Sequence, residues 1–214
     1  MTVTHLLEDG RLSSAYVLTY AAPMEHSPSD SALMLRYRDG DAAAFETLYR
    51  RHNDGVYRYL LRLCRHQAAA EDIFQEVWGK IIKTRGRYRR TAKFTTFLYR
   101  VAHNCFIDHI RRNRRHLQAI EFDPDAHCHT DDLAEQETER SLARRRLEVA
   151  LHALPDEQRD AFLLYEEAGL SLEEIGQVTG VSRETAKSRL RYAVNKLKRA
   201  LDDVPDESAG EARK

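Results

Sequence analysis

The chain has 214 residues, a formal net charge of zero and few glycines and prolines, so two small helical domains are expected rather than one large one. It has no apolar run long enough for a transmembrane helix and no basic leader before an apolar core, so neither membrane insertion nor secretion is expected. Cys64, Cys105 and Cys128 form an odd set without a repeated spacing, which points to reduced thiols in a cytoplasmic protein, not to a disulfide framework.

Residues 1–28 have weak periodicity and end in a Pro- and Ser-containing stretch, so a disordered N-terminal extension is expected. Met24 stands just before the first convincing helix and is a candidate translation start. The first domain spans 29–116. Residues 31–38 form a short helix that breaks at Asp39-Gly40-Asp41. Asp41 then caps a helix whose stripe of Phe45, Leu48 and Tyr49 continues past Gly55 through Val56, Tyr57, Leu60, Leu61 and Cys64. The helix over 70–83 turns Ile73, Phe74, Val77, Trp78, Ile81 and Ile82 inward and leaves Glu71, Asp72, Gln75 and Glu76 outside, ahead of Lys80 and Lys83. Acid first and base last suits the helix dipole. A protein partner for Asp72, Gln75 and Glu76 is the sharper reading, and spacing does not choose between the two.

From 80 to 115 the chain carries twelve Lys or Arg and a single acid, Asp108. A block this basic repels itself unless a polyanion relieves it, which points to nucleic acid. Its first part is a loop with Arg85, Arg87, Tyr88, Arg89, Arg90 and Lys93. A long helix over 95–115 follows, with Arg100, Asn104, Asp108, Arg111 and Arg112 on one side and Leu98, Val101, Ala102, Cys105, Phe106 and Ile110 on the other. Bases interleaved with aromatic rings suit single-stranded or opened DNA. Phe94, Phe97 and Phe106 read as core, Tyr88 as the ring free to stack, and Asp108 as a helical partner of Arg111 or Arg112. Residues 117–140 then form an acidic linker, with eight acids and no Lys or Arg between 117 and 139. It has few large apolar residues to offset its ordering entropy, so it is expected to be flexible. Its charge would hold two basic domains apart or fill a basic groove when DNA is absent.

The second domain spans 141–201, ahead of an acidic tail over 202–214. Ser171 and Glu174 make a capping box, Gly176 marks a close helix approach, Gly180 is the turn residue, and Ser182 caps the next helix. On that helix Ala186, Leu190, Ala193, Val194, Leu197 and Leu201 form one stripe. Arg183, Glu184, Thr185, Lys187, Ser188, Arg189 and Arg191 supply groups that read base edges or hold phosphates. Two helices joined by a short glycine turn, the second basic outside, describe a helix-turn-helix that docks on duplex DNA. The fold class is therefore all-α: two small helical domains joined by a flexible acidic linker, the second a helix-turn-helix.

Three segments, AAEDIFQEVWGKII over 69–82, FTTFLYRVAHNCFIDHIRRNRR over 94–115 and LPDEQRDAFLLYEEAGLSLEEIGQVTGVSRETAKSRLRYAVNKLKRAL over 154–201, resemble the extracytoplasmic-function (ECF) group of bacterial RNA polymerase sigma factors. The resemblance covers 30–116 and 141–201. It implies a chain that binds core RNA polymerase and directs initiation at promoters. The first domain would be region 2, with Asp72, Gln75 and Glu76 gripping the β′ clamp helices. Arg85, Tyr88, Arg89, Arg90, Lys93, Arg100, Asn104, Asp108, Arg111 and Arg112 would recognise and open the −10 DNA. The second domain would be region 4, reading the −35 element through its recognition helix and touching the β flap. An anti-sigma factor is an expected partner. Phe97 stands where members often carry Trp, and the first 28 residues have no family counterpart.

Two other readings remain open. A stand-alone helix-turn-helix regulator would not need the basic loop of the first domain. A metal sensor or metalloenzyme would draw on His103, Cys105 and His109, or on His127, Cys128 and His129. Of the first three only Cys105 and His109 have a spacing suited to joint ligation on a helix, and a buried thiol beside a surface imidazole also explains them. No catalytic constellation, cofactor site or metal site is expected.

Overall fold

The computed structural model describes residues 28–117 and 139–202, and every regular element among them is helical. The expectations for the N-terminal extension, Met24, the acidic linker with His127, Cys128 and His129, and the tail beyond Asp202 lie outside the described residues.

The first domain comprises α1 (Asp30–Arg38), α2 (Ala42–Cys64), α3 (Gln67–Thr84) and α4 (Phe94–Leu117), with a single 3-10 turn at Arg85–Arg87. Short polar residues set the starts of these helices. The Asp41 carboxylate accepts from the Ala44 N–H and opens α2. His66 Nδ1 accepts from the Ala69 N–H, so α3 begins at Gln67, earlier than the apolar periodicity alone suggests. Leu48, Val56, Leu60, Ile73, Val77, Ile81, Leu98 and Ala102 fill the centre. Ile82, expected inside, is exposed.

The second domain comprises α5 (Glu139–His152), α6 (Asp156–Glu166), α7 (Leu172–Thr179) and α8 (Arg183–Asp202). Its core is divided. Ala150, Leu151, Leu154, Ala193 and Leu197 form a small cluster. Ala161, Leu163, Leu164, Leu170, Ile175, Val178 and Ala186 instead join the core of the first domain. The two domains, expected to be separate modules on a tether, are therefore packed together, α6 against α2 and α7 against α4. A fully buried leucine side chain contributes about 2 kcal/mol and a net hydrogen bond about 1 kcal/mol. Apolar burial thus supplies most of the adhesion, and the polar contacts fix its register.

Candidate nucleic-acid interface

The helix-turn-helix follows the expected local rules. Ser171 Oγ accepts from the Glu174 N–H at 3.3 Å, while Glu174 Oε2 accepts from the Ser171 N–H at 2.9 Å. Gly180 closes α7 at φ +73°. A Cβ on Gly176 would stand 2.7 Å from the Val181 carbonyl oxygen, so only glycine lets the turn fold back onto α7. Ser182 Oγ accepts from the Thr185 N–H at 3.1 Å and starts α8. Ala186, Leu190, Ala193 and Leu197 are buried, whereas Arg183, Glu184, Thr185, Lys187 and Arg191 are exposed. Ser188 and Arg189 sit half-buried at the edge. Arg183 is tied to Glu173 and Glu184, and Arg191 lies over the Tyr192 ring, 5.2 Å from its centroid. Lys187 and Arg189 have no ion pair among the described residues. The geometry is that of a basic helix face able to enter a major groove.

The second basic surface lies on the first domain. Arg85, Arg87, Arg89 and Arg90 are exposed in the loop before α4, and Arg85 also covers the Tyr37 ring. Tyr88 is not the free ring that the sequence suggested. It is only 4% exposed and meets Phe97 edge-on at 5.2 Å, so in this arrangement its faces are used in packing. Phe94 and Phe106 are buried, and Phe97 is half-buried. Arg100, Asn104, Asp108, Arg111 and Arg112 are all exposed along α4. Asp108 faces Lys80 Nζ of α3 at 3.6 Å, not Arg111 or Arg112 of its own helix. Arg100 donates to the Gln177 carbonyl at 2.6 and 3.1 Å, and Lys93 Nζ stands 3.2 Å from Glu174.

The third surface is the outer face of α3. Asp72 and Gln75 are exposed, and Glu76 accepts from Lys80 at 2.9 Å and Arg112 at 2.8 Å. Partial burial works against the Glu76 charge, but these two cations outweigh it and hold the carboxyl below its ordinary value. A shallow groove lined by Asp72, Ile73, Glu76, His109, Arg112 and Asn113 joins α3 to α4. Among the described residues no group of His, Cys, Asp and Glu is placed to hold a metal ion. Burial pushes the Cys64 thiol up to about 12 and raises that of Cys105, which leaves both protonated at neutral pH.

The order of these surfaces along the chain matches known proteins. The Sigma-70 region 2 family matches residues 48–116, and the Sigma-70 region 4 family matches 150–199. The RNA polymerase sigma factor CarQ of Myxococcus xanthus is 35% identical over 82% of this chain and 99% of its own length. The ECF RNA polymerase sigma factor SigM of Mycobacterium tuberculosis (strain H37Rv) is 31% identical over 82% and 86%. The chain belongs to the ECF family of RNA polymerase sigma factors. As a sigma factor it binds core RNA polymerase and directs promoter-specific initiation by recognising −10 and −35 elements. Its fold is shared with a sigma factor RpoE solved with the anti-sigma factor NepR from Bartonella quintana, with 22% identity and a TM-score of 0.63 over 75% of this chain and 98% of that one. CnrH, solved with the cytosolic domain of CnrY, shares it at 19% identity and a TM-score of 0.61, over 82% and 98%.

In this sigma factor several residues that the sequence did not single out join the two domains. Tyr59 Oη donates to Asp160 Oδ1 at 2.7 Å, and His103 Nδ1 stands 3.0 Å from Asp160 Oδ2, at an angle outside hydrogen bonding. Glu167 accepts from Arg58 at 2.9 Å and from Arg62. Arg65 donates to the carbonyls of His152 and Leu154. Thr96 Oγ1 donates to Glu174 at 3.0 Å, so the capping-box acid serves α4 as well. One signal was available: Asp160 directly precedes the apolar run Ala161-Phe162-Leu163-Leu164, where a buried acid needs a partner.

Proposed function

We propose that residues 29–116 act as region 2 and 141–201 as region 4, joined by the linker over 117–140, and that each carries its own DNA contact. Asp72, Gln75 and Glu76 then engage the β′ clamp helices. The Arg85–Lys93 loop and the Arg100–Arg112 face engage the opening −10 strands. Arg183, Glu184, Thr185, Lys187, Ser188, Arg189 and Arg191 read the −35 duplex, and other parts of region 4 meet the β flap. The chain works in the cytoplasm as a non-enzymatic subunit, with catalysis left to the polymerase. The solved relatives with anti-sigma factors support extending such a partner to this chain.

The observation that carries this reading is the pairing of two basic helix faces, on α4 and α8, with an acidic α3 face between the polymerase and the strands. Promoter-specific transcription by core polymerase with and without the chain tests it. The expected result is a specific transcript only when the chain is present. Asp72→Ala with Glu76→Ala should abolish co-purification with core polymerase while leaving helix content unchanged. Undiminished co-purification would remove the α3 assignment. A chain that binds duplex DNA but never stimulates core polymerase would favour a stand-alone regulator.

A further inference from the structure

The two DNA faces are not equally available. α7 lies against the first turns of α4, and Thr179 of α7 borders one groove with Phe97, Val101 and Asn104 of α4. Arg100 is spent on the Gln177 carbonyl and Lys93 on Glu174. The outer face of α8 points away from this seam and stays exposed.

The contacts that hold the seam have a feature that packing of α2 alone does not require. Arg65 caps the C-terminus of α2 at φ +60°, the only described non-glycine residue with positive φ. Glycine occupies such a cap at no steric cost, and an arginine there is strained. Its guanidinium crosses to the carbonyls of His152 and Leu154 in the other domain. Asp160, 6% exposed, has both its close polar partners, Tyr59 and His103, across the seam. Glu167, with a side chain 10% exposed, likewise pairs with Arg58 and Arg62 of α2.

We propose that Arg65, Asp160 and Glu167 form a clasp that shuts the free sigma factor, covering the α4 strand-binding face while leaving the α8 duplex-reading face open. The proposal rests on the assignment of α4 to single strands and α8 to duplex. The clasp makes masking one-sided: the free chain meets duplex DNA through α8 but engages opened strands only after another protein parts the domains. Population of the closed state lowers apparent affinity for single strands by the fraction that is open.

Small-angle scattering of the full-length free chain, with anisotropy of a labelled dT15 strand and a labelled mixed-sequence 20-base-pair duplex, tests the clasp. Wild type should be compact. Arg65→Gly should expand it and tighten dT15 binding about tenfold, with duplex binding unchanged. This variant relieves the strained cap, so α2 should melt no earlier, which separates opening from unfolding. Arg58→Ala with Arg62→Ala, both at the surface, should act in the same direction. Unchanged scattering in both variants would overturn the clasp, and an equal rise for strand and duplex would overturn the one-sided masking. Expansion without tighter dT15 binding would overturn masking of α4, and the transcription assay would then show separately whether the sigma assignment stands.

Discussion

Helices α4 and α8 are both long, both basic on one side and both apolar on the other, yet they present their cations in different ways. On α4, Arg100 bonds a carbonyl of α7 and Arg112 bonds Glu76, so two of the expected DNA ligands are already occupied. On α8, Lys187 and Arg189 have no ion pair among the described residues, and Arg191 only lies over its neighbour Tyr192. A run of bases in sequence therefore reports a surface suited to DNA but not whether that surface is open. Neighbours distant in the chain decide that.

The largest expected effect breaks one side of this comparison. Gly176→Val places side-chain atoms where a Cβ alone would stand 2.7 Å from the Val181 carbonyl oxygen, a backbone atom that cannot swing away. Region 4 should lose about 3 kcal/mol of stability and the chain its duplex binding. Denaturant unfolding and duplex anisotropy would measure both. Core polymerase binding through the α3 face should persist, and its loss would show that the domains fold only as one unit.

A second contrast compares two arginines. Arg191→Ala should weaken duplex binding by about 1–3 kcal/mol, because nothing else holds that guanidinium away from DNA. Arg100→Ala in the free chain should change dT15 binding far less, since the wild-type side chain is already bonded to Gln177. Titrations of both variants decide this, and a large Arg100 effect in the free chain would mean that the α4 face is open.

Local signals explain why one side of the comparison was legible in sequence and the other was not. The capping box of Ser171 and Glu174, the positive φ of Gly180 and the close approach at Gly176 all lie within ten residues and obey rules of short-range geometry. The apolar stripes of α2 and α3 were equally readable, apart from Ile82 at the end of its helix. The seam was not. Arg65 lies 87 residues from His152, Tyr59 lies 101 from Asp160, and neither pair leaves a periodic trace. Tyr88 was misread for the same reason: a tyrosine among arginines looks free until Phe97 is brought against it.

Acid should loosen the seam. Burial works against the Glu174 charge, but bonds from Ser171, Thr96 and Lys93 outweigh it and hold the carboxyl below its ordinary 4.5. A lowered folded-state value means that this contribution is complete above 4.5 and is lost as pH falls through the folded value. Scattering should therefore show no expansion of the free chain between neutral pH and about 5, then opening in more acid solution. Lys93 keeps its charge throughout and would be released toward the strand-binding face. Expansion near neutrality would point to a group other than Glu174.

The smallest effect tests whether α8 is as open as the comparison claims. Arg183, at the start of the recognition helix, is not free: Glu173 of α7 and Glu184 both hold it. Glu173 lies at the surface and adds a negative charge beside the groove that receives phosphates. Glu173→Gln should leave the melting temperature unchanged, because an exposed pair contributes little to stability. It should tighten duplex binding about threefold at low salt by freeing Arg183, with the gain fading as salt is raised. A salt-independent gain would indicate a changed turn geometry. No gain would show that Glu173 orients Arg183 for base reading, and the two helices would then differ in degree: α4 holds its arginines for another domain, and α8 holds one of its own for DNA.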